Sequence, residues 1–117
     1  MQPPALSVIV AFRNMAREAP RTLYTLSPAY QRGVSAADYE VVAVDAGSTS
    51  PLDEEMVRAH GPNFRLLRAP DAPSPAGAIN AAARASTGSA VAVCIDGARM
   101  LSPGVLRHTL AAVRSHE

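Results

Sequence analysis

Four apolar runs divide the chain, and each is followed by polar or turn-forming residues. The first, Leu6–Phe12 (LSVIVAF), is β-branched and apolar on both faces, and Arg13-Asn14 ends it. That pattern predicts a central strand covered on both sides. The second, residues 39–44 (YEVVAV), delivers Asp45 into a small-residue turn, Ala46-Gly47-Ser48-Thr49-Ser50. The third, residues 64–67, is short. The fourth, residues 90–95 (AVAVCI), stops at Asp96, where an Asp96-Gly97 turn and Arg99 follow.

Helical patterns fill the gaps. Residues 18–32 carry Pro20 early and Leu23 and Leu26 about one turn apart, and Pro28 should break or kink that helix. The best-marked helix follows Asp45. Ser50 is its expected N-cap, Pro51 its first residue, and residues 53–55 place three acids in the positive first turn; Gly61-Pro62 stops it. Leu52, Met56 and Val57 are its expected buried stripe. Residues 75–85 form a helix with a small face of Ala78, Ile79, Ala82 and Ala83, ended by Thr87-Gly88. A last helix has Ser102 as expected N-cap and Pro103 as first residue, with Val105, Leu106, Thr109, Leu110 and Val113 as its expected stripe.

The order is β-α-β-α-β-α-β-α. Strict alternation with apolar strands predicts an α/β fold, a Rossmann-like parallel sheet of about four strands with helices on both faces. In such sheets ligands bind beyond the carboxyl ends of the strands, near the point where strand order reverses. Asn14, Asp45 and Asp96 all fall at those ends, so the fold predicts that they converge.

At 117 residues the chain is one domain at most. Its net charge of +1 gives no bulk attraction to nucleic acid or anionic membrane, and an aromatic share of 4% offers few stacking platforms, so no nucleic-acid partner is expected. All 11 basic residues are arginine. The single cysteine, Cys94, rules out an internal disulfide and lies in an apolar run, as a small buried hydrophobe does. No apolar run approaches the roughly 20 residues of a membrane-spanning helix. A cytoplasmic location is the expectation. The three histidines share no metal-ligand spacing.

Two phosphate-binding signatures are missing. The turn after the first strand, Arg13-Asn14-Met15-Ala16-Arg17, contains no glycine, unlike a dinucleotide-binding turn; with no lysine in the chain there is no P-loop. Each candidate acid also has an ordinary alternative. Asp45 followed by Gly47-Ser48 is turn chemistry, and Asp96-Gly97 is a turn signal.

Taken together, four motifs in register resemble the N-terminal half of a family 2 glycosyltransferase of GT-A fold. They are residues 6–14, residues 39–49, Gly77-Ala-Ile-Asn80 with residues 85–88, and Val93-Cys-Ile-Asp96. The resemblance covers nearly the whole chain. It implies a nucleotide-diphosphate sugar, such as a UDP-sugar, as donor and hexosyl transfer to an acceptor hydroxyl. It assigns Asp45 to the imide of the nucleobase, with Gly47 and Ser48 in the same loop. Asn14 falls in the loop over base and ribose, Asn80 and Arg84 on the helix before the diphosphate site, and Asp96 at the first acid of the D-x-D motif that holds Mg²⁺ or Mn²⁺.

The chain departs from that pattern twice. The motif reads Asp96-Gly97-Ala98, so the second acid is missing, which leaves Asp96 as a weak metal ligand and weighs against a divalent cofactor. Arg99 is expected to supply positive charge to a phosphate in its place, because a guanidinium contacts such groups bidentately. The acceptor-binding half, with its general base, lies beyond the matched region, so residues 1–117 are expected to be one incomplete domain and no catalytic residue is nominated. A non-catalytic nucleotide-binding or assembly module on the same fold is the alternative. A sheet ending at its fourth strand leaves an apolar edge. A partner chain, a second copy or the missing half is expected to cover it.

Overall fold

The computed structural model describes residues 3–69, 75–94 and 100–115. Four strands, β1 (Leu6–Phe12), β2 (Tyr39–Asp45), β3 (Phe64–Arg68) and β4 (Ala90–Cys94), form one parallel sheet in the order β3-β2-β1-β4. Four helices alternate with them: α1 (Ala19–Thr25), α2 (Glu54–Arg58), α3 (Pro75–Ala85) and α4 (Val105–Ser115). The chain runs outward from β1 to β3, then returns past β1 to lay down β4. Strand order therefore reverses between β1 and β4.

The period of two along the strands sorts their side chains into two cores. Leu6, Val8, Val10 and Phe12 of β1, with Tyr39, Val41 and Ala43 of β2, pack against Leu23 of α1, Val57 of α2, and Leu106 and Leu110 of α4. Ile9, Ala11, Val42 and Val44 face the other way, onto Ala78 and Ala82 of α3. Both central strands are buried throughout, as their unbroken apolar runs require. The small face of α3 permits close approach to the sheet, with Ile79 half-buried and Ala83 exposed. The outer strand β4 differs. Its alanines and Cys94 face the larger core, while Val91 and Val93 are each 45% exposed on the α3 side.

Three helix boundaries depart from the sequence reading. The first helix ends at Thr25, with Leu26 as its cap; Pro28 and the Ser27 turn prevent continuation to residue 32. The second is capped by Asp53, whose carboxylate accepts from the Met56 N–H at 3.3 Å, and not by Ser50. Residues 50–52 are instead drawn toward Asp45, which leaves Leu52 buried but outside the helix. The last helix begins at Val105, because Ser102 to Gly104 form a turn before it. Buried Gln31 caps it from a distance: its Oε1 accepts from the Leu106 N–H at 3.2 Å, and its Nε2 donates to the carbonyls of Thr25 and Ser102. The third strand also extends one residue further, to Arg68. Among the described residues no helix is long and apolar enough to cross a membrane.

Candidate functional site

The carboxyl ends of β1 and β2 carry two loops that hold each other. Asn14, directly after β1, adopts a left-handed backbone (φ 55°), a conformation that asparagine tolerates better than most residues. Its N–H donates to Ser48 Oγ at 2.9 Å, and its Oδ1 accepts from the Thr49 N–H at 2.8 Å. Gly47, at φ 73°, lets the second loop turn back toward the first. Asp45, the last residue of β2, is buried. Its Oδ1 accepts from the Ser48 N–H at 3.2 Å and its Oδ2 from the Leu52 N–H at 2.8 Å. Arg68, from the end of β3, reaches Asp45 Oδ2 at 3.9 Å and donates to the Leu52 carbonyl at 3.0 Å.

Ser48 is thus the hinge of the arrangement, receiving Asn14 on its hydroxyl and giving its N–H to Asp45. A cavity of about 90 Å³ opens beside it, lined by Asp45, Gly47, Ser48, Pro51 and Arg68. Its size admits part of a ligand, such as one edge of a planar base, and not a whole nucleotide. Asp45 presents acceptors only, so a donor N–H or a cation is its natural partner. The half-exposed Arg68, which sequence reasoning missed, adds a guanidinium at the rim. Nothing in its local sequence marks it, because its role depends on strand pairing with β2.

The remaining nominated residues are more dispersed. Asn80 and Arg84 both lie exposed on α3, the helix covering the opposite face. Arg84 stands one residue before Ala85, whose carbonyl Arg65 holds beside Glu40 at the starting end of the sheet, so the structure does not bring it to the carboxyl end as expected. Asp96 and Arg99 lie outside the described residues, so the expected convergence of three strand ends is seen for Asn14 and Asp45. Among the described residues no three His, Cys, Asp or Glu side chains cluster as a metal site.

A larger cavity, about 660 Å³, lies at the other end of the sheet, where the strands begin. Its charged groups are already matched. Arg65 meets Glu40 at 3.2 Å, and Arg114 meets Asp38 at 3.5 Å. Glu40 is 8% exposed and receives Ser7 Oγ, the Thr87 N–H and the Thr87 hydroxyl on Oε2, and Arg65 Nε on Oε1. Burial alone would raise its pKa, but the donors from Ser7 and Thr87 and the Arg65 charge outweigh burial and hold it below the ordinary carboxylate value. This network was also missed. The available signal was a glutamate inside an otherwise apolar strand, which must find partners when buried.

The parallel order β3-β2-β1-β4, with loops from β1 and β2 closing over the carboxyl end, defines a Rossmann-like α/β domain. A family model, Glycosyl transferase family 2, matches residues 7–117. The chain belongs to that family. No curated protein matches. Among solved structures, the chain resembles Staphylococcus aureus TarS 1-349, with a TM-score of 0.75 and 24% identity over 99% of this chain and 33% of that one. It also resembles the TarS structure that it covers to 20% (TM-score 0.74, 24% identity, 99% of this chain), and TarS 1-349 in complex with UDP (TM-score 0.72, 24% identity, 99% of this chain and 33% of that one). The chain therefore spans a third or less of the structures it matches, and the likeness at this identity is one of fold.

Proposed function

We propose that this chain is the nucleotide-sugar-binding part of a family 2 glycosyltransferase, holding a UDP-type donor for transfer of its sugar to an acceptor hydroxyl. The observation that carries the reading is the pair of interlocked loops at the carboxyl ends of β1 and β2. They bring Asp45, Gly47 and Ser48 to one small cavity, with Asn14 bonded to Ser48, at the end of the sheet where ligands of open α/β folds bind. The UDP complex of TarS, a protein of the same fold, supports the choice of nucleotide.

In this reading Asp45 uses its remaining acceptor capacity on the base N–H. Asn14 and Ser48 shape the loop against which base and ribose lie. Asn80, Asp96 and Arg99 attend the diphosphate, with Arg99 in the place of a metal-held charge. Asp96, with Ala98 where a second acid would stand, is a poor sole ligand for Mg²⁺ or Mn²⁺. Calorimetry with UDP, with and without Mn²⁺, tests all of this. Micromolar-range binding without metal is the expected result. Strict dependence on Mn²⁺ sinks the arginine assignment, and no binding of any nucleotide sinks the reading as a whole.

The alternative, a module that binds nucleotide without turnover, is favoured if UDP binds but neither sugar transfer nor donor hydrolysis follows. The open edge of β4 and the exposed Val91 and Val93 support coverage by further polypeptide, of the same protein or a partner. Light scattering showing a monodisperse monomer at high concentration counts against that.

A further inference from the structure

The hydrophobic pattern of β4 leaves its register ambiguous. The strand reads Ala90-Val-Ala-Val-Cys94, with alanines inward and valines outward. A one-residue slip is prevented, because it would turn the valines into the core. A two-residue slip that carries Ser86 into the place of Gly88 keeps the pattern, because Gly88, Ala90 and Ala92 then take the inward places of Ala90, Ala92 and Cys94; it moves the strand by about 6.6 Å at a rise of about 3.3 Å per residue. The opposite slip would carry Asp96 into the inward place of Cys94. Among the described residues β4 pairs only with β1, so no second neighbour fixes its position. Yet the pairing is definite, with Leu6 opposite Ala90 and Val10 opposite Cys94.

We propose that Gly88 is the register key of β4, and that Ser7, Glu40 and Thr87 form the clasp that holds it. Gly88 passes so close to β1 that a Cβ there would lie 2.6 Å from Ser7 N and 2.7 Å from Leu6 C and Ser7 Oγ. Real side chains do not accept such distances to backbone. A two-residue slip would bring Ser86 into that place in one direction and Ala90 in the other, and both carry a Cβ. The slipped register that the apolar pattern permits is therefore excluded sterically at one glycine.

The clasp holds the correct register in place. Ser7 Oγ accepts from the Gly88 N–H at 2.8 Å and donates to Glu40, which also receives both the N–H and the hydroxyl of Thr87. Arg65 joins β3 to the same carboxylate and donates to the Ala85 carbonyl, at the end of α3. The charged groups around the clasp are Arg65 on β3, which faces Glu40, and Asp38 and Arg114, which line the adjoining cavity and pair with each other. One carboxylate of β2 thus ties β1, β3, α3 and the start of β4 together. Because β4 is a short rigid segment, its register at Gly88 sets where its far tip stands, at the nucleotide end of the sheet. That consequence rests on the function proposed above; the register does not.

The test uses native Cys94 as a reporter. In a Val10→Cys variant of the whole chain, mild oxidation with diamide is expected to cross-link residues 10 and 94, which lie on the same face in directly opposed positions. Adding Ser86→Gly and Gly88→Ala, which moves the glycine two positions back, is expected to cut the yield at least threefold while circular dichroism still reports a folded sheet. Ser86→Gly alone, which admits the slipped register without barring the native one, serves as the milder variant should the pair not fold. A Phe12→Cys reporter, silent in the parent, should then begin to cross-link, because the permitted slip carries Cys94 opposite residue 12. No cross-link in the Val10→Cys parent, or an unchanged yield in a folded glycine-shifted variant, overturns the proposal. UDP affinity, measured alongside, is expected to fall at least fivefold with the cross-link. A parent that never binds UDP refutes the functional reading alone, because the cross-link is read without nucleotide.

Discussion

Replacing Asp45 by asparagine separates its two possible duties. The carboxylate accepts from the N–H groups of Ser48 and Leu52, one on each oxygen, in a buried position. Asparagine keeps one acceptor and turns an NH₂ toward the other donor. One hydrogen bond to a charged group is lost and one amide is left facing a donor, a loss of about 1–3 kcal/mol. The Arg68 contact adds little, since at 3.9 Å it is half-exposed and screened. A total near 2 kcal/mol, with an m-value of about 1.5 kcal/mol/M, lowers the urea midpoint by roughly 1 M. If Asp45 also receives a base N–H, the same change weakens UDP binding by at least tenfold, since a charge-assisted contact of about 1.5 kcal/mol or more disappears. The measurements are urea denaturation followed by fluorescence of an added dye or far-UV dichroism, and calorimetry with UDP below the onset of unfolding. An unchanged midpoint refutes the capping geometry. A lowered midpoint with UDP affinity intact refutes the nucleotide role and leaves Asp45 a loop cap.

Other expectations follow from buried polar groups. Gln31→Ala removes the side chain that caps α4 and joins it to Thr25 and Ser102, leaves those backbone groups unmatched, and should cost about 2–3 kcal/mol in chemical denaturation. Burial holds the His60 pKa below its ordinary value, so between pH 7 and 5 the unfolded chain binds more protons than the folded one. Stability should fall over that interval, and His60→Phe should flatten the slope of midpoint against pH. The folded pKa of Glu40 also lies below its unfolded value. Its contribution is complete above the ordinary value of 4.5 and is lost as pH falls through the folded pKa, so Glu40→Gln should be less stable than the parent at pH 6, and the gap should close as pH falls through that folded value in the same assay.

The sheet was legible because its strands are buried on both faces, and that leaves continuous apolar runs bounded by turns. The limits of β1 and of α3 fall where the residues place them. Helix starts were less legible, for a physical reason. Ser50-Pro51 is a good local cap, but Asp45 takes the Leu52 N–H and pulls this segment out of the helix, so Asp53 caps instead. Likewise Ser102-Pro103 yields to Gln31, which lies 71 residues away in sequence from Ser102. A tertiary hydrogen bond outweighed a local signal in both cases. At the candidate site, the positions of Asn14 and Asp45 followed from strand ends alone. Their link through Ser48 did not, because it depends on the left-handed turn at Asn14.

The two acids of β2 show why the smaller cavity is the better candidate. An ionised carboxylate offers about four acceptor sites. Glu40, at the start of the strand, takes four donors, three on Oε2 from Ser7 and Thr87 and one on Oε1 from Arg65. Its Oε2 is saturated, its Oε1 is held by Arg65 and the side chain is buried, so it has little left to offer a ligand, and the 660 Å³ cavity beside it has its other charges paired as well. Asp45, at the end of the strand, fills two, and Arg68 stands at 3.9 Å without closing on it. Unused acceptor capacity therefore lies at the carboxyl end of the sheet, beside loops that hydrogen bonds from backbone N–H groups to side-chain oxygens already hold in place. A volume criterion would choose the opposite end. The large cavity thus belongs to the architecture of the clasp, and the small one keeps the acceptor capacity that the proposed nucleotide contact needs.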